Sequence, residues 1–118
     1  MANVLIVDDE PTIRRLVQTV LELEGHQVAM AGTGQQALDL VEAQAPDVLL
    51  LDVKLPGMDG WEVLRRVDAL RLNTRVVMLS AVPGVRFGAG GAADEVLAKP
   101  FEVERLVEAI DRLAPANP

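Results

Sequence analysis

Three short runs of the chain, Val4–Val7, Val48–Leu51 and Val76–Leu79, are apolar at every position, and each stops abruptly at a polar residue. A half-buried strand alternates apolar and polar side chains. An unbroken apolar run needs cover on both faces, the setting of a strand in a parallel sheet flanked by helices. Val28–Ala31 and Val96–Ala98 read as two further strands. The segments between them carry helical spacing. Ile13, Leu16, Val17, Val20 and Leu21 form one inward stripe, with Pro11 suited to the first turn and Gly25 to the stop. Thr33 can cap a second helix running to Gln44, with Ala37, Leu38 and Val41 inward. A third runs from Trp61 to Arg71 with Val63, Leu64, Val67 and Leu70 on one face, and a last from Val103 to Leu113 with Leu106, Val107, Ile110 and Leu113 inward. Between Ser80 and Val96, Pro83 with Gly84, Gly88, Gly90 and Gly91 predicts a fourth helix that is short or irregular. The order is βα repeated five times. The predicted fold is therefore α/β, a five-stranded parallel doubly wound sheet with right-handed crossovers.

A length of 118 residues, half of them apolar, suits one domain with a full core. The expected domain is 1–114, with 115–118 a frayed tail or linker stub. The chain has no cysteine, which excludes disulfides and thiolate metal sites. A net charge of −7 opposes phosphate backbones, and aromatic residues for base stacking are scarce, so direct nucleic-acid binding is not expected. No apolar run reaches membrane-spanning length, and the start "MANVLIVDDE" does not read as a signal peptide. A cytoplasmic location and no membrane partner are expected.

In an open parallel sheet, sites form beyond the carboxyl ends of the strands. Here the first strand runs into Asp8, Asp9 and Glu10, the third into Asp52, the fourth into Ser80 and the fifth into Lys99. Each residue alone has a plainer explanation: Asp8 and Asp9 as helix caps, Asp52 as a loop acid, Ser80 as a turn residue, Lys99 as surface charge. Together they place carboxylates, a hydroxyl and an amine at one edge. Neighbouring carboxylates repel, and a hard divalent cation such as Mg²⁺, which takes oxygen ligands, relieves that repulsion. Lys99 suits a phosphoryl group, Ser80 can donate a hydrogen bond, and Asp52 can act as a nucleophile forming an aspartyl phosphate. His26 precedes the second strand, away from this edge, and reads as a surface residue rather than a phosphodonor.

The runs "VLIVDDE", "LLLDVKLPGMDG", "MLSA" and "LAKPF" together resemble the receiver domain of bacterial two-component response regulators, over nearly the whole chain. The resemblance implies the flavodoxin-like receiver fold and a phosphoprotein. Asp52 would take a phosphoryl group from a histidine kinase or phosphotransfer protein. Asp9 and Asp52 would bind Mg²⁺ directly, with the backbone carbonyl of Lys54 as a further ligand and Asp8 acting through water. Ser80, the backbone N–H of Ala81 and Lys99 would hold the phosphoryl group, and the Lys99–Pro100 peptide would be cis. Such a chain catalyses only its own phosphorylation and dephosphorylation. It signals through a partner protein or a fused output domain.

Two features depart from the family pattern. The switch aromatic three residues before Lys99 is replaced by Val96, and the glycine-rich stretch before it is shorter than usual by about one helical turn. Both fit signalling by ordering of residues 82–94, and equally a degenerate fourth helix with signalling through another face. Lys54 and Val82 should tune the phosphate's lifetime, and Val82, unable to orient water, should slow its loss. Two other readings stand beside this one: a pseudo-receiver that never takes phosphate, and a metal-dependent aspartyl phosphatase. The phosphatase is disfavoured by Lys54, which sits where a second acid is expected. A phosphate-cradling glycine loop after the first strand is absent, and "GTGQQA" after the second reads as a helix cap.

Overall fold

The computed structural model describes residues 2–80 and 93–115. The parallel strands are β1 (Asn3–Val7), β2 (Gln27–Ala31), β3 (Val48–Asp52), β4 (Arg75–Ser80) and β5 (Glu95–Ala98). The helices are α1 (Pro11–Leu23), α2 (Gly34–Gln44), α3 (Gly60–Ala69) and α4 (Val103–Leu113). The sheet order is β2-β1-β3-β4-β5, the doubly wound arrangement expected from the alternation of runs. The expected fourth helix and the ordering of 82–94 fall largely on residues 81–92, outside the described residues, as do Ala81 and Val82. Among the described residues, no helix is long and apolar enough to cross a membrane.

Side-chain alternation explains the unbroken apolar runs. Leu5, Val7, Leu49, Leu51, Val76 and Met78 point to one face, where they pack with Ala37, Leu38 and Val41 of α2 and Val63, Leu64 and Val67 of α3. Val4, Ile6, Val48, Leu50, Val77 and Leu79 point to the other, against Val17 and Leu21 of α1 and Leu106 and Ile110 of α4. Both faces are dry, so every position must be apolar until the strand leaves the core.

Helix ends follow local chemistry. Pro11 occupies the first turn of α1, and Gly25 at φ 91° follows its end. Thr33 Oγ1 accepts the Gln36 N–H and Asp59 Oδ1 accepts the Glu62 N–H, capping α2 and α3. Three expectations are corrected. Leu16 is 43 % exposed, because α1 docks through the narrower stripe Ile13, Val17, Leu21. Leu70 is also exposed; it lies just past the last turn of α3. His26 is not a surface residue: the α1–β2 turn tucks it beneath the start of β1, where its Nδ1 accepts the Ala2 N–H at 3.0 Å and its Nε2 lies 3.8 Å from Asp111.

Candidate functional site

The alternation that builds the core also builds the site. Asp8 and Asp52 continue the even-numbered register of β1 and β3, and Lys99 continues that of Leu97, so all three emerge on the α1–α4 side. The ladder persists past the strand ends: the Asp8 N–H donates to the Ala31 carbonyl at 3.1 Å and the Lys99 N–H to the Ser80 carbonyl at 2.7 Å. These side chains therefore ride on sheet backbone rather than on free loops, which fixes their geometry.

Asp8 is fully buried, and Asp52 and Ser80 are only 6 % and 4 % exposed. Lys99 Nζ lies 2.6 Å from Asp8 Oδ2 and 3.2 Å from Asp52 Oδ2, so one ammonium is shared by two carboxylates. Burial raises the Asp52 pKa above the ordinary carboxylate range; the Lys99 charge opposes this and the Asp8 charge adds to it. For Lys99, burial alone would lower the pKa, but the hydrogen bond to Asp8 and the charges of Asp8 and Asp52 outweigh it and the net direction is upward. Asp52 Oδ1 accepts the Lys54 N–H in a long contact of 3.4 Å. The Lys99–Pro100 peptide is cis.

Asp8 does not cap α1. Its Oδ1 accepts the Glu10 N–H at 3.0 Å inside the site, and the N-cap residue is Glu10, whose side chain makes no capping bond. Lys99 is not a surface charge, and Asp52 is not a loop acid. Asp9 and Glu10 are exposed. Carboxylate oxygens of Asp8, Asp9 and Glu10 can lie within 4.8 Å of one another. These donors are all hard oxygens, with Asp52 buried beside Asp8, and the set fits a hard divalent cation better than a soft metal. The structure thus brings Asp8, Asp52 and Lys99 into contact and buries Ser80 on the neighbouring strand end.

Two contributors were not foreseen. Glu10 joins the oxygen cluster, although the sequence marked it only as following the strand. Gly60 starts α3 with its N–H donating to the Val53 carbonyl at 2.7 Å, and an ideal Cβ there would lie 2.1 Å from the Asp52 carbonyl oxygen. Only glycine lets the helix press this closely on the backbone that carries Asp52. A glycine opening a helix, eight residues past a strand-end acid, was the available signal.

Comparison with known proteins gives one consistent family. The profile of the response regulator receiver domain matches residues 4–111. The sporulation initiation phosphotransferase F of Bacillus subtilis is 38% identical over 116 residues, covering 96% of this chain and 94% of that protein. The transcriptional regulatory protein TrcR of Mycobacterium tuberculosis is 42% identical over 108 residues, covering 89% of this chain but 42% of that protein. The chain thus spans nearly all of the first relative and under half of the second. Among solved structures, the response regulator TrrA of Thermotoga maritima, in complex with Mg²⁺-BeF, superposes with a TM-score of 0.88 at 32% identity, covering 96% of this chain and 99% of that one.

Proposed function

The chain belongs to the response regulator receiver domain family of two-component signalling, and from that membership we propose that it takes a phosphoryl group onto Asp52. The observation that carries this reading is Lys99, held 2.6 Å from Asp8 and 3.2 Å from Asp52 at the buried ends of adjacent strands. A cation shared by two buried carboxylates is costly to maintain for stability alone and is common where charge must be handled.

The donor is the phosphohistidine of a histidine kinase or phosphotransfer protein. An Asp52 carboxylate oxygen attacks phosphorus. The P–O bond forms as the P–N bond breaks, and the electron pair stays on the donor imidazole nitrogen. Lys99 supplies positive charge to the phosphoryl oxygens, and the Ser80 hydroxyl donates to one of them, with the Ala81 N–H as a second donor. Mg²⁺ would be held by Asp8, Asp9, Asp52 and the Lys54 carbonyl, and would supply neutralisation of the charge on the transferring group. The reaction is self-modification; the signal passes to a partner protein or to a fused output domain.

Intact mass after incubation with acetyl phosphate and Mg²⁺ tests the reading. One added phosphoryl group is expected, absent in Asp52→Asn and absent with EDTA. Unchanged mass in the wild type, with Mg²⁺ binding intact and no labelling by a phosphorylated kinase, would leave the pseudo-receiver as the better account.

A further inference from the structure

We infer that Arg14 is a positioning residue for the cation end of this site, and that Gly32 provides the space its guanidinium occupies. The inference rests on the Mg²⁺-dependent reading above and adds residues on α1 and after β2 that no part of that chemistry names.

Asp8 has each of its polar groups engaged. Its N–H pairs with Ala31, its Oδ1 with the Glu10 N–H and its Oδ2 with Lys99. Its carbonyl oxygen accepts from Arg14 Nη1 at 2.6 Å. That carbonyl belongs to the peptide joining Asp8 to Asp9. A peptide unit is planar, so fixing the carbonyl fixes the plane and with it the Cα from which the Asp9 side chain departs. Asp9 is exposed, so packing alone does not hold it. Arg14 reaches back from the first turns of α1 and clamps the backbone just before it. Arginine suits this role because its planar fork is directional and always charged.

Gly32 supplies the second, independent observation. An ideal Cβ at Gly32 would lie 3.1 Å from Arg14 Nη1 and 3.7 Å from Arg14 Cζ. The guanidinium therefore lies against the end of β2, and a methyl group there would displace it by a few tenths of an ångström. The Gly32 N–H donates to Gln36 Oε1 at 3.0 Å, which anchors this wall to α2.

Charge alone predicts the opposite consequence. A guanidinium beside a cation site repels the cation, so on Coulomb grounds removing Arg14 should tighten Mg²⁺ binding. Positioning predicts weaker binding. The sign of the change decides.

The test is calorimetric titration of the full chain with MgCl₂ alone, for wild type, Arg14→Met, Arg14→Lys and Gly32→Ala, with Arg15→Met as a neighbouring charge control. Arg14→Met should weaken Mg²⁺ binding about tenfold, the loss typical of a broken outer-sphere support. Gly32→Ala should shift affinity the same way by less, and Arg14→Lys should recover part of the loss. Arg15→Met should leave affinity unchanged or tighter. In acetyl phosphate labelling, the half-saturating Mg²⁺ concentration should rise more than the maximal rate falls; a general loss of structure would not produce that split. Unchanged or tighter binding in Arg14→Met, folded by circular dichroism, would overturn the inference. If Arg14→Met does not fold, Gly32→Ala decides by the same sign. A wild type that binds no Mg²⁺ would remove the metal reading and this inference together, whereas a binding wild type with unaffected variants removes this inference alone.

Discussion

At the carboxyl edge of the sheet, Lys99 lies between Asp8 and Asp52, whereas at the amino edge Arg75 faces Asp94 and Arg112 faces Glu95. Both edges set basic side chains against acids, but the surroundings differ. Arg75 and Arg112 are more than half exposed, and each has its own carboxylate. The acids there also serve the backbone: Asp94 accepts the Val76 N–H and Asp47 the Asn3 N–H, both at 2.8 Å. At the carboxyl edge Asp8 and Asp52 are buried, share one amine and repel one another. Water screens the first arrangement, so its pairs contribute little and cost little. The second is held only because rigid strands force it, which is how a fold stores an unsatisfied demand for positive charge.

The largest predicted effect breaks the carboxyl edge through its backbone. Gly60→Ala places a methyl group where the Asp52 carbonyl and Val53 Cα already lie, at 2.1 and 2.9 Å from the ideal Cβ. Neither is a flexible side chain, so α3 must move off β3. Urea denaturation should show a loss of about 3 kcal/mol, with acetyl phosphate labelling impaired. A melt matching wild type would mean that α3 does not press on β3 as described.

Comparable in size is the effect of Lys99→Met in EDTA. It leaves Asp8 and Asp52 buried without their shared cation, and the expected cost is about 3 kcal/mol. Adding Asp8→Asn should recover part of that loss, because the remaining acid no longer faces a second one. A loss no larger than that of Arg112→Met would erase the contrast between the edges.

Asp52→Asn should act in the opposite direction. Burial is the main reason the Asp52 pKa is raised, so the native state holds this proton more tightly than the unfolded state. The carboxylate therefore costs stability, and the cost grows as pH rises from the ordinary aspartate range through the raised folded value. In EDTA at neutral pH, Asp52→Asn should have the higher urea midpoint. That advantage should shrink as pH falls through the same window and vanish below it. A midpoint difference that stays constant with pH would show that Asp52 ionises as freely in the fold as in the unfolded chain.

How far the sequence revealed all this depended on the range of the interaction. The buried strands were legible because dry cover on both faces demands apolar residues at every position, as in Val48–Leu51. Caps such as Thr33 were legible because a cap is a local bond. The polar strand ends were legible because strand direction alone carries Asp8, Asp52, Ser80 and Lys99 to one edge. Relations across the fold were not. Nothing local ties Lys99 to Asp8, 91 residues away, and nothing local places His26 under Ala2. Leu16 and Leu70 show a different limit: helical spacing finds an apolar face but not how much of it the sheet covers. Arg14 drew no notice in the sequence because its partner is a backbone carbonyl, which leaves no mark in the side-chain pattern.

The smallest effect belongs to the amino edge, and its smallness is the point. Arg112 meets Glu95 side-on, Nε to Oε1 at 2.9 Å and Nη2 to Oε2 at 3.0 Å, a favourable geometry for an ion pair. If geometry governed, this pair would rival Lys99–Asp8. Exposure argues otherwise, since Arg112 keeps more than half of its side chain in water. A double-mutant cycle on Arg112→Ala and Glu95→Ala should give a coupling of about 0.5 kcal/mol that falls further in high salt. The matching cycle on Lys99 and Asp8 should give a larger coupling that salt barely changes. A salt-insensitive Arg112–Glu95 coupling as large as that of Lys99–Asp8 would mean that bidentate geometry, rather than burial, separates the two edges, and the carboxyl edge would then need another explanation for its shared lysine.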